Sequence, residues 1–147
     1  MGARTRTVLI ATLMLLCGGA TAASAFLTDG PLVAALRRKM VDNLDAYNRK
    51  DVNGVLATID TRSPDYEPTK QAVEQQFKDL DVKAELVDFV GMGHDDEFAV
   101  ARIKAKTTGK PGSGFTDNTV DAIVLFHQEN GEWKLWSEDV LAVTVTP

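Results

Sequence analysis

The residues with the clearest chemical potential lie on the last predicted hairpin of the chain. Asn130-Gly131 is a two-residue turn signal between two apolar runs, because both central positions of such a turn require positive φ. With the turn placed there, Ala122 faces Asp139 and Val124 faces Ser137. This register predicts that Asp139 and Ser137 share an apolar face that points towards the helices.

Asp139 is the candidate catalytic residue. A carboxylate on an apolar wall has a raised pKa, because burial disfavours its charge, and a raised pKa suits a general acid or base. The alternative is that Asp139 bonds a backbone or helix-end donor, or that a bulge turns it outwards. Tyr47, Ser137 and Trp133 complete the candidate ligand pocket, with space filling or core packing as their alternative role.

The opposite face of the same hairpin carries a candidate interface. There Leu125 is predicted to lie opposite Trp136, close to Ile123, which makes an apolar patch on the outer face of the sheet. Exposed patches of this kind are partner sites, so the sequence predicts a homodimer formed through the sheet. The alternative is that a helix or the segment Phe26-Leu27 covers the patch.

One cluster has the composition of a metal site. His94-Asp95-Asp96 is predicted to lie in a turn, where three adjacent ligands rarely converge on one ion. The glycine-rich segments 91–93 and 109–114 lack the strand-to-helix context of a phosphate site. The sequence therefore predicts a solvated acidic turn, and neither a metal nor a cofactor.

Helices in the first half of the domain and strands in the second half must position these residues. Apolar residues recur every three or four positions over 31–49, which predicts an amphipathic helix. Asp51 opens a short second helix, and Ser63-Pro64 and Pro68-Thr69 are competing start signals for a third. A period of two then predicts four antiparallel strands over 82–90, 98–107, 117–129 and 132–145. This order of elements predicts an α+β fold.

The first 25 residues have the three parts of a secretory signal. Arg4 and Arg6 precede an apolar run over 8–17, and small residues end in Ala23-Ser24-Ala25. The apolar run is roughly half of the ~20 residues that span a bilayer, so an uncleaved anchor is the weaker alternative. The pattern predicts cleavage after Ala25 and a periplasmic or secreted protein.

Cleavage would leave residues 26–147 as a single domain of ordinary size. The only cysteine, Cys17, leaves with the signal, and the loss of Arg4 and Arg6 changes the net charge from −5 to −7. An acidic surface repels phosphate backbones and anionic lipids. The composition therefore argues against nucleic acid and membrane partners.

Four short segments resemble the nuclear transport factor two-like (SnoaL-like, cystatin-like) superfamily. They are Ala46–Asp51, Val52–Leu56, Phe98–Ala101 and Asn130–Leu135. The resemblance implies a bent antiparallel sheet wrapped around the helices, which together form a cone with a cavity. Members carry a short strand between the second and third helices, and the segment 59–68 leaves little room for it here.

The resemblance also allows a test of an enzymatic role. The superfamily's ketosteroid isomerase uses an aspartate base with a tyrosine and a protonated aspartate as oxyanion donors. The tyrosine position falls on Asn43 and the third acid on Leu125, while the base lies in the shortened region. A dehydratase-like pocket would need an aspartate–histidine pair, whereas His94 is predicted in a turn and His127 on the face opposite to Asp139.

Three hypotheses therefore stand. The first is an exported, non-catalytic module that binds a small apolar ligand in the cone. The second is a small isomerase or lyase that uses Asp139 as acid or base. The third is a structural or protein-interaction module with a filled core.

Overall fold

The computed structural model describes residues 30–146. The predicted signal peptide and a cover of the sheet by Phe26-Leu27 lie outside the described residues. Three helices and then four strands follow one another along the chain. They are α1 (Pro31–Asn48), α2 (Val52–Ala57), α3 (Tyr66–Asp79), β1 (Val82–His94), β2 (Phe98–Gly109), β3 (Asn118–Glu129) and β4 (Glu132–Val145).

The four strands form one open antiparallel sheet in the order β1-β2-β3-β4. Each strand pairs with its neighbour in sequence, so the sheet is a simple meander. The predicted α+β class, with helices before an antiparallel sheet, is confirmed. No helix within residues 30–146 is long and apolar enough to cross a membrane.

The first two helices are fixed to each other by a close contact. Leu36 and Met40, from the predicted stripe of α1, are buried in the core. Asp51 caps α2 as predicted, because its carboxylate accepts a hydrogen bond from the Gly54 amide at 2.8 Å. A Cβ at Gly54 would lie only 2.9 Å from Cβ of Ala46, so a larger residue would push the two helices apart.

The core lies between α1, α2 and one face of the sheet, which we call the inner face. Its largest fully buried apolar side chains are Leu36 from α1, Ile103 from β2, and Val124 and Phe126 from β3. Alternation along β3 places Val124 and Phe126 on the same face, as the predicted period of two requires. The inner face of the sheet is therefore covered mainly by α1.

The first strand is longer than predicted. β1 continues to His94 through two irregularities, one between Leu86 and Asp88 and one between Gly91 and Gly93. The turn shrinks accordingly, and Asp95 closes it by accepting hydrogen bonds from the amides of Glu97 and Phe98 at 2.8 and 2.7 Å. The Asp95 carboxylate therefore stabilises the turn.

The last hairpin has the predicted turn but not the predicted register throughout. Asn130 and Gly131 have φ values of 53° and 81°, and Phe126 pairs with Leu135 as expected. Beyond that pair, Leu125 pairs with Ser137, so one extra residue, Trp136, is inserted into β4.

This bulge corrects the pairing predicted for the candidate acid. Asp139 lies opposite Ile123 and not opposite Ala122, and Glu138 takes the position opposite Val124. A one-residue shift exchanges the two faces of a strand. The prediction that Asp139 lies on the inner face is therefore wrong, because a regular ladder was assumed.

The link between α2 and α3 contains only a trace of the short strand that the resemblance implied. Ile59 forms a single parallel bridge with Leu135. The Asp60 amide donates to the Leu135 carbonyl at 2.9 Å, and the Leu135 amide donates to the Thr58 carbonyl at 2.9 Å. This bridge covers the first part of the β4 edge.

The second part of β4 is left bare among the described residues. A second bulge at Leu141 lies between the pairs that Ala122 and Asp121 make with Val140 and Ala142. Four large apolar side chains of this part are each more than half exposed. They are Val140, Leu141, Val143 and Val145.

Candidate functional site

An open cleft lies between α1, α3 and the inner face of the sheet. Its wide end has a volume of about 430 Å³ and its narrow end about 130 Å³. The two ends are continuous because they share part of their lining. The shared residues are Asn43, Tyr47, Thr69, Val73 and Glu138.

The walls of the wide end are mainly apolar. Met40 and Leu44 come from α1, Leu80 follows α3, and Ile103 and Val120 come from the sheet. The narrow end lies between the α2–α3 link and β4. A cleft of this size and polarity is typical of sites for small molecules.

Glu138 is the carboxyl that borders the cleft. It lies opposite Val124 on the inner side of β4, borders both ends of the cleft and keeps contact with solvent. Burial against the cleft walls, and then the negative charge of Asp65, raise the pKa of its carboxyl above the usual value. Both Glu138 and Asp139 are exposed to solvent, but Asp139 does not line the cleft.

Tyr47 lies where the two ends of the cleft meet. Its hydroxyl donates a hydrogen bond to Oε1 of Gln76 at 2.9 Å, and its ring meets Phe77 edge-on with centroids 5.2 Å apart. Burial raises the pKa of the phenol. The residue therefore both packs between α1 and α3 and presents a ring to the cleft.

The other two predicted pocket residues occupy different places. Ser137 borders the narrow end of the cleft. Trp133 is half-buried, packs against the hydrophobic core and borders neither end. The structure thus brings Tyr47 and Ser137 together in the cleft and leaves Trp133 outside it.

Asn43, the position that the isomerase comparison matched to a tyrosine, borders both ends of the cleft. Its amide donates to the Thr58 hydroxyl at 2.7 Å. Thr58 in turn donates to the Val55 carbonyl at 2.7 Å. Asn43 therefore ties α1 to the end of α2.

The predicted interface residues do not lie opposite each other, because Leu125 pairs with Ser137. The Trp136 ring packs against His127 and Phe98, with centroids 4.9 and 5.9 Å away, and these two residues do not line the cleft, although Trp136 as a residue borders its narrow end. The Ser63 hydroxyl donates to the Trp136 carbonyl. These contacts hold the bulge in place and partly cover the tryptophan.

A buried ionic network, not predicted from the sequence, lies beside this bulge. Asp60 is fully buried, and its carboxylate lies 2.7 Å from Nδ1 of His127 and 3.1 Å from Nη2 of Arg62. Because a carboxylate only accepts, Nδ1 of His127 carries the proton in that bond. Burial works to raise the pKa of Asp60, but hydrogen bonds from Arg62 and His127 outweigh it and lower the pKa to about 2.

This network is an aspartate–histidine pair outside the cleft. His127 lies on the opposite side of β3 from Phe126, and neither Asp60 nor His127 borders the narrow or the wide end. Its position indicates a structural role in fastening the α2–α3 link to β3. Within residues 30–146, no three histidine, cysteine, aspartate or glutamate side chains converge on a point that could hold a metal ion.

The site residues that the sequence analysis did not predict differ in how far the sequence indicates them. Strict alternation fails over 136–139, where an aromatic residue is followed by three polar ones, and that failure is the trace of the bulge. Asp65 and Thr69 lie at the start of α3 and reach the cleft only through the packing of that helix. Asp60 and His127 are 67 residues apart, so no local pattern joins them.

The family model of the anti-sigma-I factor RsgI9 C-terminal domain matches residues 40–146. No curated protein matches the chain. The matched range includes α3, all four strands and every residue that borders the cleft.

Solved structures are similar to this chain at low sequence identity. A proposed aromatic ring hydroxylase from Novosphingobium aromaticivorans is 16% identical with a TM-score of 0.62, over 80% of this chain and 96% of that one. A proposed scytalone dehydratase from the same organism is 12% identical with a TM-score of 0.62, over 78% and 87%. An NTF-2 like protein of unknown function from Shewanella oneidensis is 10% identical with a TM-score of 0.58, over 73% and 96%. These likenesses confirm the predicted superfamily fold.

Proposed function

The chain belongs to the family of the C-terminal domain of anti-sigma-I factor RsgI9, and from that premise we propose that it is a non-catalytic module that binds a small, largely apolar ligand in its cleft. The family description names a regulatory protein and not an enzyme, which favours a binding role. The fold itself allows either role, because its neighbours include both proposed enzymes and proteins of unknown function.

One observation carries this proposal. The wide end of the cleft measures about 430 Å³ and is lined mainly by apolar side chains, within the usual range for small-molecule sites. A purely structural domain would close this space with larger side chains, because protein interiors are close-packed. Ala84 and Ala105 stand on its walls instead.

An isomerase or lyase is the second candidate, and the raised pKa of the Glu138 carboxyl favours it. Glu138 would replace Asp139 as the acid or base, because Asp139 is exposed away from the cleft. Catalysis also needs a second polar group in reach of the substrate. Tyr47 lines the cleft and carries a suitable hydroxyl, but that hydroxyl already donates a hydrogen bond to Gln76.

We also propose that the protein is exported, to the periplasm or the medium, after cleavage behind Ala25. The charged start, short apolar run and Ala-x-Ala end of residues 1–25 support this proposal. A homodimer formed through the outer face of the sheet is a further proposal, which rests on the half-exposed Leu125 and its neighbours.

The ligand proposal is tested with N-phenyl-1-naphthylamine, a neutral probe whose fluorescence rises in apolar sites. We expect the purified protein to bind this probe, and Ala105→Phe to weaken binding about tenfold, because the new ring fills the wide end. Titration of the probe, followed by fluorescence, measures both affinities.

Ala142→Phe is the matched control, since Ala142 is exposed on β4 and does not line the cleft. It should leave the affinity for the probe unchanged. An equal loss of affinity in both variants would show that the probe binds outside the cleft. If the unchanged protein does not bind the probe, the proposal is contradicted.

A further inference from the structure

Within residues 30–146, the charged groups that border the cleft are all acidic. Of the described residues that line its two ends, only Asp65 and Glu138 are charged at neutral pH, and both border the narrow end. No lysine, arginine or histidine of this part of the chain lines either end. The apolar wide end therefore leads to a negatively charged narrow end.

Neither of these carboxyls has a partner among the described residues. Asp65 begins α3, but its side chain makes no capping hydrogen bond, and no hydrogen bond or ion pair within residues 30–146 involves either carboxyl. Two other acids of the sheet do have partners: Asp121 pairs with Arg102 at 2.7 Å, and Glu129 with Lys134 at 2.7 Å.

The two unpartnered carboxyls are electrostatically unfavourable, and the effect is clearest at Glu138. Burial and the nearby charge of Asp65 both disfavour its negative form. A bound cation would offset both effects, because it supplies an opposite charge to two carboxylates at once. A bound anion would add to the repulsion.

An aromatic ring at the same place favours a cationic group further. Tyr47 borders the narrow end together with the two carboxyls. The face of such a ring attracts ammonium groups through its quadrupole. Two carboxylates and an aromatic ring are thus combined where the cleft narrows.

We infer that the ligand of this cleft is a cationic amphiphile: a protonated amine that lies between Asp65 and Glu138, with an apolar body that extends into the wide end. This inference rests on the proposed ligand-binding function and specifies its ligand class. The wide end limits the size of the ligand's apolar body, because its volume of about 430 Å³ accommodates roughly ten carbon atoms.

The test uses three compounds that share a ten-carbon chain and differ in the head group: decylamine, decan-1-ol and decanoate. Each competes with N-phenyl-1-naphthylamine for the protein at neutral pH and low salt. We expect decylamine to displace the probe at a concentration about fivefold or more below that of decan-1-ol, and decanoate to be the weakest.

Substitutions distinguish the contribution of the carboxyls to affinity from that of the rest of the cleft. Glu138→Gln should remove most of the advantage of the amine over the alcohol while the affinity for the alcohol stays within about twofold. Asp139→Asn removes the same charge one residue away, at an exposed position, and should leave the advantage intact. Asp65→Asn provides a second test if Glu138→Gln fails to fold, as judged by circular dichroism.

The outcomes are distinguishable. If decan-1-ol or decanoate displaces the probe as well as decylamine does, the cleft binds ligands but the amine assignment is overturned. If the advantage of the amine survives both Glu138→Gln and Asp65→Asn, the assignment is overturned as well. If the unchanged protein does not bind the probe at all, the proposed function itself fails.

Discussion

Asp60 shows at the residue scale how a buried charge is held. Its carboxylate accepts hydrogen bonds from Arg62 and from the His127 ring, and these lower its pKa from 3.8 to about 2. A lowered pKa in the folded state stabilises the protein above the unfolded pKa, and that contribution is lost as the pH falls through about 2. We expect the free energy of unfolding to drop by about 2 kcal/mol between roughly pH 4 and pH 2 from this residue.

The same network predicts a large mutational effect. Asp60→Asn should destabilise the fold by about 3 kcal/mol, because it leaves Arg62 and His127 without their buried partner. The control is Asp121→Asn, which breaks the more exposed pair with Arg102 and should cost less than about 1 kcal/mol. Urea unfolding at pH 7 measures both, and equal costs would contradict a special role for Asp60.

The site residues were predictable from the sequence only in part. Tyr47 is predictable because it continues the apolar stripe of α1. A regular ladder across Trp136 predicts Ser137 opposite Val124 and Asp139 opposite Ala122, whereas the structure pairs Ser137 with Leu125 and Asp139 with Ile123. Ser137 borders the cleft nevertheless, and Asp139 does not. The contacts that hold this bulge come from Ser63 and from Phe98, which are distant in sequence.

At the scale of elements, the turn of the last hairpin was well predicted, although the register beyond it was not. The turn dipeptide fixed its position, and both residues adopt the required positive φ. Strand ends were less predictable, since β1 extends to His94 by means of bulges that its glycines permit. Elements with strong turn or capping signals could thus be located, whereas bulges depend on contacts across the sheet.

The hairpin turn yields a prediction with a matched control. Gly131→Ala should destabilise the protein by about 1 kcal/mol, because a Cβ is strained at a φ of 81°. Gly93→Ala should cost nothing measurable, since its φ is not positive and a Cβ there would meet open space. Thermal unfolding of both variants checks this, and an undiminished stability of Gly131→Ala would contradict it.

At the scale of the whole molecule, export and self-association can be measured together. Native mass spectrometry of the expressed full-length chain should show a mass that begins at Phe26, in a species of twice the monomer mass. Leu125→Asp should convert this species to monomers if the outer face of the sheet is the interface, because it places a charge in that face. Leu141→Asp changes the β4 edge instead and should leave the dimer intact.

The results separate these proposals from one another. A mass that retains Met1 would contradict cleavage, whatever the oligomeric state. A dimer that resists Leu125→Asp but dissociates with Leu141→Asp would place the interface at the edge strand. A monomer at all concentrations would contradict the homodimer proposal.

The bare end of β4 also has a consequence for handling the protein. The run Val140–Val145 contains neither a charge nor a proline, and its outer edge has no paired strand among the described residues. Such an edge is a template on which further extended chains can add, and natural sheets usually protect it with a lysine or a proline. We therefore expect this strand to limit the solubility of the purified protein, and Val143→Lys to raise the concentration at which fibrils or precipitate form.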